Sequence, residues 1–549
     1  MIQFISHNMA PLMFAGLVLG MIMGYPAAFS IGAVGLFFGL IGIELGLISP
    51  VFLGNLTFQM FAVISNDLLL AIPFFTLMGA ILERCGLAED LLEGFGQLFG
   101  GLRGGLSYAV ILVGAVLGAI TGTVAASVIA MGLISLPIML KYGYSVRHTT
   151  GVIAASGTIT QLIPPSLVLV VLADQLGKSV GDMYKGAIGP SLIQIALFFA
   201  WVFILSIVRP HEVPALPPEA RTLRGWALAA KCIRGMVPSL ILIFLVLGTI
   251  FMGLATPTEA GAMGVVGALV LAAINRRLTW PLLWQGMETT MRITAFVVFI
   301  LLGARTFSLV FQGVGGKEWI EGLLINLPGG VSGFLIFVNI FVFVLAFFLD
   351  FFEIAFIVIP LLAPAAEKLG IDLIWFGVLL GANIQTSFMH PPFGFALFYL
   401  RGIAPRDLVP SSDIYWGAIP WVVLQLMLVA IVIYWPQSVT YWLDSGPKVD
   451  PSKIEIRIPS FNAPGIPNFG LPPGLSTPDL SPPVPPPSAA PPPAPMPAPV
   501  QMSAPPAVVP PSLQPNDPPG PTPTPMPSDV PPLPPGLVPP ARDLAPPPQ

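Results

Sequence analysis

Charge is scarce in this sequence. Only 9% of its 549 residues are Asp, Glu, Lys or Arg, while 55% are hydrophobic. A soluble chain carries about 25% charged residues, so a soluble globular protein is excluded and an all-α polytopic membrane protein is expected. No basic face exists to neutralise phosphates, so nucleic acid is not an expected partner, whereas membrane lipid is. Cysteine is nearly absent. Cys85 and Cys232 stand far apart in apolar settings, which excludes a disulfide framework or thiolate metal centre and suits two small buried residues. Four histidines, His7, His148, His211 and His390, are scattered, and no HExxH pairing occurs; the chain is not expected to be an intramembrane enzyme or to carry a cofactor. Gly177-Lys178-Ser179 resembles the end of a nucleotide-binding loop, but the required upstream glycine is missing because position 172 is Leu. No Lys or Arg precedes the first apolar run. That run lacks the basic start of a cleaved signal peptide and is expected to stay as a membrane helix.

What the chain does have is two interrupted apolar stretches. At Ala154 it reads AASGTITQLIPPSL, with Ser156, Gly157, Thr158 and Thr160 just before Pro164-Pro165. Proline removes a backbone donor and pushes its predecessor out of α geometry. A helix should therefore enter, break and restart, forming a re-entrant hairpin over about 150–172. The second stretch, GANIQTSFMHPPFGFALF from Gly381, places Asn383, Gln385, Thr386 and Ser387 before Pro391-Pro392. Broken backbone at membrane depth is tolerated where it lines a cavity or is buried in protein. A matched pair of breaks in two halves points to the binding site of a secondary transporter.

Other landmarks repeat with the same spacing. Pro26 is echoed by Pro257, Gly79-Ala80 by Gly303-Ala304, Pro137 by Pro364, and Asp182-Met-Tyr-Lys-Gly-Ala by Asp413-Ile-Tyr-Trp-Gly-Ala. Offsets run from 224 to 231. The expected organisation is a first membrane repeat (1–208), a basic cytoplasmic linker (209–235), a second repeat (236–436) and a proline-rich disordered tail (437–549). An odd number of crossings per half, taken as five spans plus one hairpin, makes the repeats inverted. The linker is placed inside by its arginines and lysine. The run 107–140 is too long for one span and, with Thr121, Gly122 and Thr123 near its middle, is expected to bend or break.

Asp350 and Glu353 sit in an otherwise apolar run. A charge at mid-membrane costs roughly 2.5–3.5 kcal/mol or more, and a bound cation would offset it. Sodium favours hard oxygen ligands. Thr121, Thr123, Ser156, Gly157, Thr158 and Thr160 offer one set; Asp350, Gly381, Asn383, Gln385, Thr386 and Ser387 offer another. Arg305, in place of the first half's Ile81, suits an organic anion or an ion pair with Asp350 or Glu353. With it, Ser156, Thr158 and His390 are candidate substrate contacts. His390 suits either proton coupling or a neutral hydrogen-bonding role.

Over about 10–435 the chain resembles the large membrane subunit of tripartite ATP-independent periplasmic (TRAP) transporters, the DctM-like family. The resemblance is carried by ATPTEAGAMGVVGAL (255–269), SGTITQLIPPS (156–166), DMYKGAIGP (182–190) and GIDLIWFGVLLGANIQTSFMHPPFG (370–394). It implies inverted repeats, two re-entrant hairpins, elevator-type movement and a bacterial inner-membrane location. It also implies sodium-driven uptake of an organic acid, with a periplasmic substrate-binding protein and a small TRAP membrane subunit as partners. The hairpin-tip residues named above fall where the family binds sodium. Many relatives have Thr where this chain has His390. The segments 303–308 and 391–402 look closer to the branch linked with 2-oxo acids, mannitol or chloroaromatic acids than to simple dicarboxylate carriers. The alternative is a stand-alone carrier or channel without a binding protein. The tail is no part of the family pattern.

Overall fold

The computed structural model describes residues 2–390, 394–405 and 407–443, without the side chains of Ile2, Ile22 and Thr121. Pro391-Pro392 and the proline-rich tail beyond 443 therefore lie outside the described residues. Within them the chain is helical, and no strand occurs. Seven helices are long and apolar enough to cross a membrane, or nine if each of two bent pairs counts as one span. The expected ten crossings exceed this count because interrupted and shorter apolar helices, such as Met9–Met21 and Leu373–Phe388, fall below its length.

The first repeat comprises α1 (Met9–Ile22), α2 (Ala27–Glu44), α3 (Asp67–Arg84, bent 45° from Pro50–Ile64), α4 (Leu87–Phe99), α5 (Gly105–Thr121), α6 (Val124–Lys141), α7 (Val146–Thr158), α8 (Leu167–Gln175) and α9 (Val180–Val208). The second follows in the same order: α10 (Gly225–Ile243), α11 (Pro257–Ile274), α12 (Trp280–Gly313), α13 (Gly316–Ile325), α14 (Gly330–Leu345), α15 (Ile359–Lys368), α16 (Leu373–Gln385), α17 (Phe395–Ile403) and α18 (Ser411–Tyr434). A helical turn, Phe351–Glu353, and a π-helical turn, Ile354–Val358, lead into α15.

The fold-back hairpin of each repeat lies one element earlier than the sequence suggests. Leu106 N, at the start of α5, donates to Tyr144 Oη, just past α6, at 3.2 Å. Ser107 Oγ lies 2.7 Å from His148 Nε2. So α5 and α6 turn back on each other, with Gly122-Thr123 at the tip. Gly122 takes a left-handed φ of 64° there, which a side chain would resist. The break at 159–166 occurs as expected, but the chain continues instead of turning back. The Asp174 carboxylate, at the far end of α8, accepts from Asn66 Nδ2 at 2.8 Å. The long α9 then returns past both halves: Tyr184 Oη meets Ser166 O at 3.4 Å, and Ser191 Oγ donates to Leu162 O at 3.0 Å. Beyond it, Glu212 O accepts from Ser145 N at 3.0 Å. Thus α7 and α8 form one interrupted crossing.

Each interrupted crossing rests on the last helix of the other repeat. A Cβ on Gly151 of α7 would lie 2.1 Å from Gly417 O of α18. Gly186 of α9 faces Ile374 and Val378 of α16. In the repeat register, 151 corresponds to 378 and 417 to 186, so one contact is built twice. The two last helices also meet each other, Phe198 packing edge-on against Trp421 at 5.0 Å between ring centroids. Elsewhere α2 and α12 form a backbone-to-backbone seam. A Cβ on Gly303 would stand 2.6 Å from Ala28 O, and one on Gly35 2.9 Å from the Phe307 backbone. Both cysteines are free; Cys85 is buried, and its Sγ donates to Ile81 O at 3.0 Å.

Candidate functional site

Four interruptions, two from each repeat, meet at one cavity of about 370 Å³. The first hairpin tip contributes Gly122, Thr123, Val124 and Ala125, and the break between α7 and α8 contributes Gln161, Leu167 and Val168. From the second repeat come Asp350, Phe351, Phe352 and Glu353 at the α14–α15 turn, then Phe388, Phe395 and Tyr399 around the break between α16 and α17. Ile293 and Phe296 of α12 close the wall. Asp350, expected inside an apolar run, thus stands at the tip of the second fold-back hairpin, opposite its counterpart Thr123.

Helix starts dominate the polar character of this cavity. Val124, Leu167, Phe351 and Phe395 each begin a helical segment and each line the wall. A helix N-terminus carries about half a positive charge and unsatisfied N–H groups. Among the described residues no Lys, Arg or His lines the cavity, so these ends are its positive features there. Its negative groups are Asp350 and Glu353. They close a capping box, Glu353 Oε2 accepting the Asp350 N–H at 3.0 Å.

Behind the wall the hydroxyls of the first break are fully buried. Ser156 Oγ donates to Ile153 O at 2.9 Å, Thr158 Oγ1 to Ala155 O at 2.8 Å, and Thr160 Oγ1 to Gly157 O at 2.6 Å. A hydroxyl whose proton is committed to a carbonyl presents lone pairs to whatever approaches. Gly114 and Gly118 of α5 make the space: Cβ atoms there would sit 2.6 Å from Ser156 Cβ and 2.9 Å from Thr160 Cα. Gly157 packs on Val128 in the same way. Thr121 ends α5 three residues after Gly118, but its side chain is outside the described residues.

The second break is buried too, but it carries amides. Asn383 Nδ2 donates to Asn339 O and Oδ1, each at 2.8 Å, and Thr386 Oγ1 donates to Asn383 O at 2.7 Å. Gln385 is fully buried, and neither amide atom has a partner among the described residues. Ser387 is buried two residues on, and Gly381 packs on Leu172 of α8. His390 is buried with its ring 4.0 Å from that of Phe347 and 4.9 Å from that of Phe343, centroid to centroid. It does not line the cavity. Neither does Arg305, which is half-buried on α12 nine residues beyond Phe296, about 13 Å along the helix at 1.5 Å per residue.

Several polar groups were not picked out from sequence. Gln425 Nε2 of α18 donates to Thr158 Oγ1 at 2.9 Å. Its repeat counterpart, Gln194 of α9, is fully buried with both amide atoms unpartnered among the described residues. The 231-residue offset that aligns Asp182 with Asp413 also aligns these glutamines, so the repeat register held the signal. Gln161 and the aromatic wall had no comparable marker. Among the described residues no group of three His, Cys, Asp or Glu could hold a metal ion. Any cation here would rely on hydroxyl, amide and carbonyl oxygens, with Asp350 and Glu353 as the charges.

Comparison with known proteins bears directly on this arrangement. Residues 14–438 match the family model described as tripartite ATP-independent periplasmic transporter, DctM component. A C4-dicarboxylate TRAP transporter large permease protein of Vibrio cholerae is 30% identical over 458 residues, covering 79% of this chain and 98% of that one. An ectoine/5-hydroxyectoine TRAP transporter large permease of Ruegeria pomeroyi is 28% identical, covering 58% and 72%. A 2,3-diketo-L-gulonate TRAP transporter large permease of Escherichia coli is 26% identical, covering 68% and 85%. Two repeats with converging breaks, a membrane-spanning helical body and a family match across almost the whole of that body agree, and the chain belongs to the tripartite ATP-independent periplasmic transporters as their multi-pass inner-membrane DctM component, the large permease.

Proposed function

We propose that this permease carries an organic acid inward, driven by sodium, after delivery by a periplasmic substrate-binding protein and in complex with a small membrane subunit. The observation that carries the reading is the convergence of both hairpin tips and both helix breaks on one cavity. There, four helix starts turn their positive ends toward a carboxylate, and the two without a side-chain cap, at Val124 and Phe395, offer it N–H groups. Each is worth roughly 0.3–1 kcal/mol at an exposed site and up to about 2 kcal/mol when partly buried. Asp350 and Glu353 would repel such an anion unless a cation stood between them, and binding sodium and acid together relieves both charges. The hydroxyl-bearing break, Ser156 to Thr160, and the amide-bearing break, Asn383 to Ser387, supply neutral oxygens for further coordination. Relatives named for C4-dicarboxylates, ectoines and 2,3-diketo-L-gulonate support an acid-bearing solute as the class.

Movement is proposed to be of the elevator type. The cavity-bearing helices α5–α9 and α14–α18 would travel as a unit against the α2–α12 seam. Proteoliposomes holding the permease and small subunit, supplied with loaded binding protein, test the whole reading. Uptake is expected to require an inward sodium gradient and all three proteins. Undiminished uptake without sodium, or with the permease alone, would overturn it in favour of a different coupling ion or a stand-alone carrier.

A further inference from the structure

A second cavity, of about 520 Å³, lies far along the chain fold from the breaks, where the end of α9 meets the starts of α7 and α18. We propose that it binds an anionic phospholipid of the cytoplasmic leaflet. Two arginines, Arg147 and Arg209, stand at its polar end, each side chain 62% exposed. Arg147 Nε holds Asp413 Oδ1 at 2.8 Å, and Arg209 Nη1 holds Glu212 Oε1 at 3.1 Å. A guanidinium has five N–H donors, so both keep donors for a phosphate after these bonds are made. With Asp413 outside the lining, the cavity wall holds two arginines against one acid, Glu212.

The other end is apolar and opens sideways. Trp201, Ile204 and Val208 of α9 face Trp416 of α18 across it. Ile204, Val208 and Trp416 are largely exposed, and so are their neighbours Phe203, Ile207 and Ile419 on the outer faces of the same helices. The wall is therefore continuous with surface that the membrane must cover. A free anion has no use for such a wall; acyl chains do. Tryptophan concentrates where headgroups meet hydrocarbon, and anionic lipid draws arginine on the cytoplasmic side. The basic linker beginning at Arg209 puts this end of the molecule on that side. The site also has leverage. Arg147 opens α7 and Asp413 opens α18, the pair that Thr158 and Gln425 join further along. A lipid held there would brace the helix that carries the hydroxyl cluster.

The test uses the purified permease–small subunit complex in detergent. Native mass spectrometry compares retention of phosphatidylglycerol with phosphatidylcholine, and a thermal melt adds inorganic phosphate as a third arm. Phosphatidylglycerol is expected to be retained about fivefold more, the worth of one arginine near an anionic surface, and to raise the midpoint while inorganic phosphate does not. R147Q/R209Q should erase that preference, and R292Q, an exposed arginine elsewhere, should keep it. If the double variant fails to assemble, R209Q alone serves, since among the described residues the Arg209 side chain is tied only to Glu212 three residues away. Equal retention of the two lipids, a preference that survives the arginine variants, or an equal shift with inorganic phosphate would overturn the proposal.

Discussion

The two repeats share a backbone plan and differ in what they place on it. The first break carries hydroxyls, the second carboxamides. The first hairpin tip presents Thr123, the second Asp350. Gln425 is tied to Thr158, whereas their counterparts by register, Gln194 and Gln385, have no partner among the described residues. Duplicated geometry gives a cavity with paired walls. Divergent side chains then make one wall electrically negative and leave the other neutral. A symmetric site would bind the same thing twice; the difference between the walls supports the proposed pairing of a cation with an acid.

Asp350→Asn should have the largest effect on that asymmetry. The sodium concentration for half-maximal uptake in proteoliposomes is expected to rise about a hundredfold, roughly 2.7 kcal/mol, while Thr123→Val raises it only severalfold. Equal shifts from both would mean that the halves contribute alike. Next comes packing. Gly151→Ala drives a methyl group toward Gly417 O, a backbone atom, and should destabilise the purified protein by about 1–3 kcal/mol. Gly377→Ala meets the flexible ends of Leu176 and Met183, so its thermal midpoint should fall less. A reversed order would show that the second crossing is the more tightly held.

Smaller still is the glutamine tie. Gln425→Leu removes the donor to Thr158 and should cost about 1 kcal/mol in a denaturation series. Gln194→Leu removes an unpartnered buried amide and should be neutral or slightly stabilising. If Gln194→Leu proved as costly as Gln425→Leu, the two last helices would be equivalent after all.

Much of this was legible in the sequence because the signals were punctuation. Pro164-Pro165 stops a helix wherever it sits, and the repeated landmarks fixed the correspondence of the halves. The fold-back between α5 and α6 was harder to see. Apolar residues continue on both sides of Gly122-Thr123, so hydropathy does not mark a reversal of direction there. That ambiguity shifted the expected hairpin onto the neighbouring break. The aromatic wall was hidden for another reason: with 37 phenylalanines in the chain, Phe352, Phe388 and Phe395 do not stand out from those facing lipid. Arg305 looked close to the carboxylates because it is charged and apolar residues surround it. A 34-residue helix carries it nine residues past Phe296.

The glycine seam between α2 and α12 sets a boundary on how the molecule can work. Where backbone touches backbone, a slip of one turn, about 5.4 Å, would bring side chains into spaces that admit only a hydrogen atom. These two helices must therefore keep their register through a transport cycle and behave as a keel. In the proposed elevator movement the solute-carrying helices would glide past them, and the sliding surface would belong to looser contacts elsewhere.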